Sequence, residues 1–500
     1  MNPSSYFPPR PGAAVHETHT GVVFLYGERA YKIKKAITTD FLDFGSRIDR
    51  ERACRREYEL NRRLAPDVYL GVGHFLAPDG DSGEPVLMMR RMPENRRLST
   101  RLADPAADPP RLSTLAAALV RFHRSARRGG DIDRAGTTDA VHRRWTAVLR
   151  TLREQPHTLV DPGRLAEIEC LALRYLAGRN TLFENRIAGG HIVDGHGDLL
   201  AQDIFDLPDG FRILDCLDFD DRLRHVDRLD DIAFLAMDFE FLDRPDLGDE
   251  FLAGYQYLSG DDAPPSLGHH YRAYRALVRA KVDTIRSGQG DAAAAGRVRR
   301  HLELADSHLK RGRVRLTLVG GLPGTGKTTV ATGLAAHTGA QVISSDHVRR
   351  ELAERGDIGG LVGRYNVGTY SPDNRSRVYT ELLELARPLL ANGHSVVLDA
   401  SWADPVQRRY ATELASSTES DLVQIRCECS RDVADRRLLQ RPPCESDATP
   451  TLAHTISAAA GSWPEATALD TTRPPAAVID DAVTLWRGTT QQHRRPLPVH

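Results

Sequence analysis

Several features that the sequence lacks exclude whole classes of protein. Six cysteines in 500 residues are too few for a disulfide scaffold, and no Cys-x-x-Cys pair suggests a zinc site. No apolar run approaches the ~20 residues needed to span a bilayer, and the N-terminus MNPSSYFPPRPG lacks the apolar segment of a signal peptide. Lys plus Arg total 67 against 68 for Asp plus Glu, so the overall positive charge typical of nucleic-acid binders is missing. We expect a cytoplasmic protein with no membrane partner.

The pattern of predicted elements changes near residue 312. The first part begins with a hairpin around Gly27 and Glu28 and continues with a helix, two strands and a long helical region. A short strand–loop block over Ile192–Leu217 interrupts this helical region, which extends to about Lys310 and includes the Ala-rich stretch Gly288–Val298. The second part alternates helices with five apolar runs, which indicates a parallel sheet covered on both faces. Those runs are Val314–Val319, Gln341–Ser344, His394–Leu398, Leu422–Cys427 and Ala477–Ile479.

These patterns predict an α+β first domain and an α/β second domain. We expect a flexible N-terminus over 1–15, a first domain over 16–312 with a small lobe to about 95 and a helical lobe from about 96, a second domain over 313–488, and a flexible tail over 489–500. At ~100–200 residues per domain, a chain of 500 residues is expected to contain two to four domains.

A glycine-rich segment of the second part fits the pattern G-x-x-x-x-G-K-[ST]. Its glycines let backbone N–H groups surround phosphates, its lysine reaches the β and γ phosphates, and its Thr328 hydroxyl suits Mg²⁺. A predicted strand precedes it and a predicted helix follows it, as the motif requires. The expected nucleotide-binding residues are Gly321, Leu322, Pro323, Gly324, Thr325, Gly326, Lys327, Thr328 and Thr329.

Two later strands of this part end in carboxylates. Asp346 can accept the proton of a substrate hydroxyl, and Arg349, one helical turn on, can hold an anionic group. The alternative is that Asp346 caps the following helix while Arg349 is solvated, and both roles can coexist. Asp399 suits Mg²⁺ or water positioning. Arg437 and Arg441 share a face of a predicted helix that either closes over phosphates as a lid or is simply solvated.

The runs GLPGTGKTTVA, SSD-x-x-R and VVLDASW, followed by an Arg-rich segment, resemble the small P-loop kinases. These include polynucleotide kinases, gluconate-kinase-like enzymes, chloramphenicol phosphotransferases and zeta toxins. The resemblance implies that Asp346 is the hydroxyl-activating base and that Arg437 and Arg441 belong to the lid.

The first part carries carboxylates at the spacing of another phosphoryl-transfer site. His196-Gly-Asp198 is followed, five residues after Asp198, by Asp203. This spacing suits a site in which the Asp198 carboxylate orients a hydroxyl and the Asp203 carboxylate binds Mg²⁺. Asp215 ends an apolar strand and suits bridging Mg²⁺ and phosphates.

Upstream, two strand lysines accompany a helix glutamate. Lys32 and Lys34 lie on one face of a strand, and Glu57 lies on the next helix. We favour Lys32 over Lys34 as the phosphate clamp.

The order of these features resembles the aminoglycoside-phosphotransferase and choline-kinase branch of the protein-kinase-like fold. The whole chain is similar to a bacterial family in which such a domain is fused to a P-loop kinase domain, on the stretches ETHTGVVFLYGERAYKIKKAI, YELNRRLAPDVYLGV, DGHGDL and ILDCLDFDDRLRHVDRLDDIAFLAMDFE. The resemblance implies that Asp231 braces the catalytic loop. The chain departs from the parent motifs in having Asp203 for the metal-binding Asn and no G-x-G-x-x-G loop.

Together these features predict an ATP- and Mg²⁺-dependent phosphotransferase with two nucleotide sites, acting on a small-molecule hydroxyl. The alternatives are an ATP-binding regulatory switch with a degenerate N-terminal kinase domain, and a nucleic-acid 5′-hydroxyl kinase, against which the missing basic charge and interleaved aromatics argue. The sequence identifies neither the acceptor nor the oligomeric state.

Overall fold

The computed structural model describes residues 14–17, 21–39, 42–76, 83–104, 106–360, 367–440, 450–459 and 461–488. The chain divides into two compact units. The first consists of Met1–Asp161, Glu184–Ala263 and Tyr271–Ala305, and the second of Pro162–Phe183, Pro264–His270 and Asp306–His500. The second unit therefore includes two separate segments that precede residue 312, and its third segment begins at Asp306.

The first unit begins with a five-stranded antiparallel sheet, in which the predicted hairpin turns at Gly27 with φ +53°. Strand β1 starts at Ala14, inside the segment predicted to be flexible. Helix α1 is capped by the Ser46 hydroxyl, which accepts a hydrogen bond from the Asp49 N–H. The bounds are β1 (Ala14–Glu17), β2 (Gly21–Tyr26), β3 (Arg29–Lys34), β4 (Thr38–Thr39), β5 (Leu42–Asp43), α1 (Arg47–Asn61), β6 (Tyr69–Phe75) and β7 (Glu84–Arg90), with the sheet order β1-β2-β3-β7-β6.

The chain is then mostly helical, as predicted, with two short antiparallel strand pairs, β8 with β11 and β9 with β10. The stretch Gly288–Val298, predicted to lie in the helical region, is interrupted between Gly288 and Ala294, where Gly290 has φ +92° and the Asp291 carboxylate accepts a hydrogen bond from the Ala293 N–H. The elements are α2 (Leu98–Ala103), α3 (Leu112–Ser125), α4 (Gly130–Asp133), α5 (Thr138–Arg153), α6 (Pro162–Ala177), α7 (Asn180–Ala188), β8 (Ile192–Asp194), β9 (Ile204–Leu207), β10 (Gly210–Ile213), β11 (His225–Asp227), α8 (Arg228–Phe241), α9 (Pro245–Ser259), α10 (Pro265–Gly288) and α11 (Ala294–Arg311).

The second unit contains a five-stranded parallel sheet with the order β13-β14-β12-β15-β16. The central strand β12 is buried along its whole length, including the side chains of Arg315 and Thr317, as expected for a strand covered on both faces. The elements are β12 (Arg315–Gly320), α12 (Lys327–Thr338), β13 (Gln341–Ser344), α13 (Ser345–Glu354), α14 (Pro372–Ala391), β14 (Val396–Asp399), α15 (Pro405–Ser417), β15 (Asp421–Glu428), α16 (Arg431–Leu439), α17 (Pro450–Ala459), β16 (Thr467–Asp470) and α18 (Pro475–Gly488).

One predicted strand is wrong. Ala477–Ile479 lies in helix α18, and the fifth strand is instead β16. Val478, Ala482 and Trp486 recur at helical spacing and pack into the core of this unit. The apolar run was therefore one turn of an amphipathic helix.

The predicted fold class is confirmed in both units. The first is an α+β unit, in which an antiparallel sheet, with helix α1 between β5 and β6, is followed by a mostly helical remainder. The second is a parallel α/β domain built around β12. Within the described ranges, no helix is long and apolar enough to cross a membrane.

Candidate active sites

The predicted phosphate loop connects β12 to α12. Gly321, Gly324 and Gly326 have φ values of +136°, +82° and +84°, a region that side-chain-bearing residues rarely adopt. The Lys327 ammonium donates to the Leu322 carbonyl at 3.0 Å, so it folds back over the loop. The backbone thus has the shape that lets successive N–H groups surround an anion.

Thr328 and Asp399, both predicted to serve Mg²⁺, lie together. The Thr328 hydroxyl donates to the Asp399 carboxylate at 2.7 Å, and Asp399 is a buried residue at the end of β14. They meet because β12 and β14 are adjacent parallel strands, with Val319 in register with Asp399. These hydroxyl and carboxylate oxygens fit a hard cation such as Mg²⁺.

Asp346 does not cap the helix that follows it. The cap of α13 is Ser344, whose hydroxyl accepts from the Asp346 N–H at 3.3 Å. The Asp346 carboxylate instead accepts from Arg349 at 2.6 Å. The alternative role considered for this carboxylate therefore belongs to Ser344.

Arg349 is not solvated, since its side chain is only 11% exposed and its guanidinium lies 4.4 Å from the centre of the Tyr370 ring. Burial opposes its charge, but Tyr370 and Asp346 raise the pKa of Arg349 above its usual value. Nothing in the sequence pointed to Tyr370, which is 21 residues from Arg349.

The phosphate loop and Asp346 line the same cavity of about 460 Å³. Lys327, Thr328, Asp346, Arg349 and Asp399 all contribute to its wall. The groups predicted to bind phosphate, to bind Mg²⁺ and to accept a proton therefore line one cavity large enough for a small molecule.

Arg437 lines a second cavity, of about 360 Å³, which shares Lys327 and Thr328 with the first. Its guanidinium donates to the Thr471 carbonyl at 2.7 Å, and the Thr471 hydroxyl donates to the Thr325 carbonyl at 2.8 Å. Helix α16 ends at Leu439, and Arg441 lies outside the described residues. The shared lid face is therefore a prediction that the structure does not test.

Gly324→Ala is expected to weaken both folding and nucleotide binding. A Cβ at Gly324 would lie 2.5 Å from the Ala434 carbonyl oxygen, and a backbone atom cannot move aside cheaply. Added to a strained φ costing about 1–3 kcal/mol, this clash should distort the loop. Thermal unfolding and titration with a non-hydrolysable ATP analogue measure the two effects. Gly339→Ala is the matched control, because Gly339 has φ +70° with open space around it; an equal loss of ATP affinity there would contradict the account.

In the first unit, the segment after β8 holds the predicted catalytic aspartate. The buried His196 donates through Nε2 to the Leu214 carbonyl at 3.1 Å and accepts from the Asp198 N–H at Nδ1 at 3.3 Å. Burial lowers the pKa of His196 to about 4, so it is neutral at physiological pH. The histidine thus fixes the backbone at Asp198.

Asp231 braces this loop, as the resemblance implied. Its carboxylate accepts from the backbone N–H groups of His196 at 2.7 Å and Gly197 at 2.9 Å. His123, which the sequence did not single out, contacts the same carboxylate at 3.1 Å and the Tyr255 hydroxyl at 2.7 Å. His123 is 108 residues from Asp231, too far for a local motif to reveal.

Asp198, Asp203 and Asp215 influence one another electrostatically. Burial, followed by the charges of Asp215 and Asp198, raises the pKa of Asp203 well above its usual value. Burial also raises the pKa of Asp198, against the effect of Arg279 and with that of Asp215. Asp215 has φ +61°. A divalent cation would offset this clustering of negative charge, so Asp203 and Asp215 are consistent with the predicted Mg²⁺ site.

Among the described residues, no group of three or more His, Cys, Asp or Glu side chains has the arrangement of a metal site. Mg²⁺ in kinases is held by one or two carboxylates together with substrate phosphates. The pairs Thr328 with Asp399 and Asp203 with Asp215 are consistent with that mode of binding.

Both strand lysines contact Glu57, on the same face as predicted. Lys32 lies 2.8 Å from one Glu57 oxygen and 3.1 Å from Asp215, whereas Lys34 lies 2.7 Å from the other Glu57 oxygen and 2.7 Å from Asp218. Despite burial, the two lysines lower the pKa of Glu57 to about 2. Lys32 therefore connects Glu57 to the candidate metal ligand, while the buried Lys34 connects it to Asp218.

Substituting the two lysines should separate binding from stability. Lys34→Met would leave Asp218 unpaired and the buried Glu57 with one cation, which should lower the free energy of unfolding by about 3–5 kcal/mol. Lys32→Met would leave Glu57 paired with Lys34, so we expect a smaller loss of stability and a larger loss of ATP affinity. Urea unfolding and ATP-analogue titration, both in a Lys327→Ala background, test this; equal effects of the two variants on both measurements would contradict it.

Comparison with known proteins shows the family of the chain. Residues 316–461 match the family model described as an AAA domain. The chain is 47% identical over 473 residues to "Uncharacterized protein Rv2004c" of Mycobacterium tuberculosis, covering 95% of each chain. It belongs to the family of this mycobacterial protein.

Two solved structures are similar to parts of this chain. A choline/ethanolamine kinase family protein from Mesorhizobium loti is 16% identical, covering 60% of this chain and 92% of its own, with a TM-score of 0.38. A gluconokinase from Sinorhizobium meliloti is 18% identical, covering 35% of this chain and 92% of its own, with a TM-score of 0.27. The kinase-like P-loop domain supports nucleotide-dependent phosphoryl transfer in general.

Proposed function

We propose that this protein is an ATP- and Mg²⁺-dependent phosphotransferase that transfers the γ-phosphoryl group to a hydroxyl of a small molecule. The observation that carries the proposal is the single cavity lined by Lys327, Thr328, Asp399, Asp346 and Arg349. Phosphoryl transfer depends mainly on positioning and charge stabilisation, and these residues supply both.

In the P-loop half, the N–H groups of the glycine-rich loop and Lys327 hold the phosphates of ATP. Thr328 and Asp399 would hold Mg²⁺, which supplies charge neutralisation at the β and γ phosphates when bound. Asp346 accepts the proton of the attacking hydroxyl. Arg349 fixes Asp346 through their 2.6 Å ion pair and places a cation beside the transferring group.

In the N-terminal half, Lys32 clamps the phosphates while Glu57 holds Lys32 in place. Asp198 orients the acceptor hydroxyl, and the backbone around it is fixed by His196 and Asp231. Asp203 and Asp215 would hold Mg²⁺. We propose that this half is a second ATP site.

Counting the ATP sites tests the proposal. Isothermal titration of the full chain with a non-hydrolysable ATP analogue and Mg²⁺ should give two molecules bound per chain. Lys327→Ala and Lys32→Met should each remove one binding event and leave the other. One molecule bound to wild type, lost on Lys327→Ala and unaffected by Lys32→Met, would reject the second site.

A further inference from the structure

Helix α8 carries two carboxylates on the face that meets the catalytic loop. Asp231 and Asp238 are seven residues apart, about two helical turns, so they project from the same side. The helix is firmly held, because Ile232, Phe234 and Leu235 are fully buried. It therefore offers two fixed acceptors to whatever backbone passes over it.

The two carboxylates contact opposite ends of one segment. Asp231 accepts from the N–H groups of His196 and Gly197, and Asp238 accepts from the N–H of Ala201 at 2.8 Å. Ala201 begins a short 3-10 turn that ends at Asp203. The segment between the two contacts contains Asp198.

We propose that Asp238 is a positioning residue of the N-terminal site, which with Asp231 holds both ends of the segment from His196 to Asp203. The inference rests on the proposed function of that site. A loop held at one end only could pivot, whereas two contacts fix Asp198 and Asp203 relative to each other. Such precision matters because displacements of about 1 Å can cost on the order of 10²-fold in rate.

The surroundings of the Asp238 carboxylate make its charged form costly. Burial raises the pKa of Asp238 to about 6, against the opposing effects of the Ala201 N–H and Arg279, while Asp198 adds a further increase. A carboxylate that is costly to ionise because it is partly buried contributes little to the stability of the folded protein. Its hydrogen bond to the loop gives a reason for its presence.

The test uses the full chain with Lys327→Ala, so that only the N-terminal site can act. Asp238→Ala removes the acceptor of the Ala201 N–H, and Asp238→Asn keeps an oxygen acceptor without the charge. Asp246→Asn, at an exposed carboxylate paired with Arg244, is the matched control. The probe reaction is Mg²⁺-dependent release of phosphate from γ-labelled ATP, with water as the acceptor, and hydrogen exchange is followed in the peptide containing Ala201.

Asp238→Ala should accelerate exchange in that peptide and lower kcat by about 10- to 100-fold, with KM for ATP within about threefold. Asp238→Asn should stay within about threefold of the parent in both, and thermal unfolding should show that all variants are folded. Unchanged exchange and kcat in Asp238→Ala would overturn the proposal, as would equal inactivity of the Ala and Asn variants. If the parent releases no phosphate, the proposed function of this site fails, and the exchange result alone still decides whether Asp238 holds the loop.

Discussion

Asp346→Asn is expected to lower phosphoryl transfer by the P-loop half by about 10²- to 10⁴-fold, the usual contribution of a general base. The amide cannot accept a proton from the substrate hydroxyl, but it has the shape of the carboxylate. ATP affinity should change little, because the phosphates are held by the loop and Lys327. Transfer of label from γ-labelled ATP to small molecules in a cell extract, in an Asp198→Asn background, measures the first effect, and analogue titration measures the second.

Asp357→Asn is a suitable control, since Asp357 is a half-exposed carboxylate of the same unit that pairs only weakly with Arg355 at 3.6 Å. It should leave both measurements unchanged. Full transfer activity in Asp346→Asn would mean that Asp346 serves only to hold Arg349 in place.

Asp198→Asn is expected to abolish transfer by the N-terminal half, again by about 10²- to 10⁴-fold. The ring of His196, two residues before Asp198, already accepts a hydrogen bond from the Asp198 N–H, so the substitution should remove the carboxylate without moving the loop. Label transfer in a Lys327→Ala background measures the loss, and the thermal midpoint should remain close to that of the parent.

Asp209→Asn controls for the loss of one negative charge, because Asp209 is 68% exposed and pairs with Arg212. If Asp198→Asn and Asp209→Asn have equal activity, Asp198 has no catalytic role. If the Lys327→Ala parent transfers no label at all, the N-terminal half is degenerate.

The sequence predicted best the features that depend on local spacing. The phosphate loop required only a strand, two glycines, a lysine and a threonine at fixed positions, and a helix, and the structure places all of them as expected. The position of Asp399 near the phosphate loop was also predictable, because adjacent parallel strands bring their carboxyl ends to the same edge of the sheet.

Features set by competition between nearby groups were harder to predict. Ser344 and Asp346 are both good capping residues, and only the backbone geometry shows that Ser344 takes the role. Ala477–Ile479 is too short an apolar run for its period to distinguish a strand from a helix. Lys32 and Lys34 are two residues apart and lie on the same face of the strand, so the sequence pattern does not distinguish them. Their different partners appear only in the folded chain, where Asp215 lies beside Lys32 and Asp218 beside Lys34.

Contacts between residues that are far apart in the chain could not be predicted, because no local sequence pattern indicates them. Tyr370 beneath Arg349 and His123 beside Asp231 join elements far apart in sequence, and aromatic or histidine residues at those positions would ordinarily be assigned to the core. Asp238 is an intermediate case, since its spacing from Asp231 is visible but its partner is a backbone N–H.

The most direct test of the phosphotransferase proposal is transfer of label from γ-labelled ATP, with Mg²⁺, to three alternatives: a small-molecule extract, a 5′-hydroxyl oligonucleotide, and the protein alone. Wild type should label a small molecule, each of Asp346→Asn and Asp198→Asn should remove part of that product, and the double variant should remove it all. Label confined to the oligonucleotide, or ATP bound with no labelled small molecule, would contradict the account; the first result would indicate a nucleic-acid end kinase and the second a nucleotide-controlled switch.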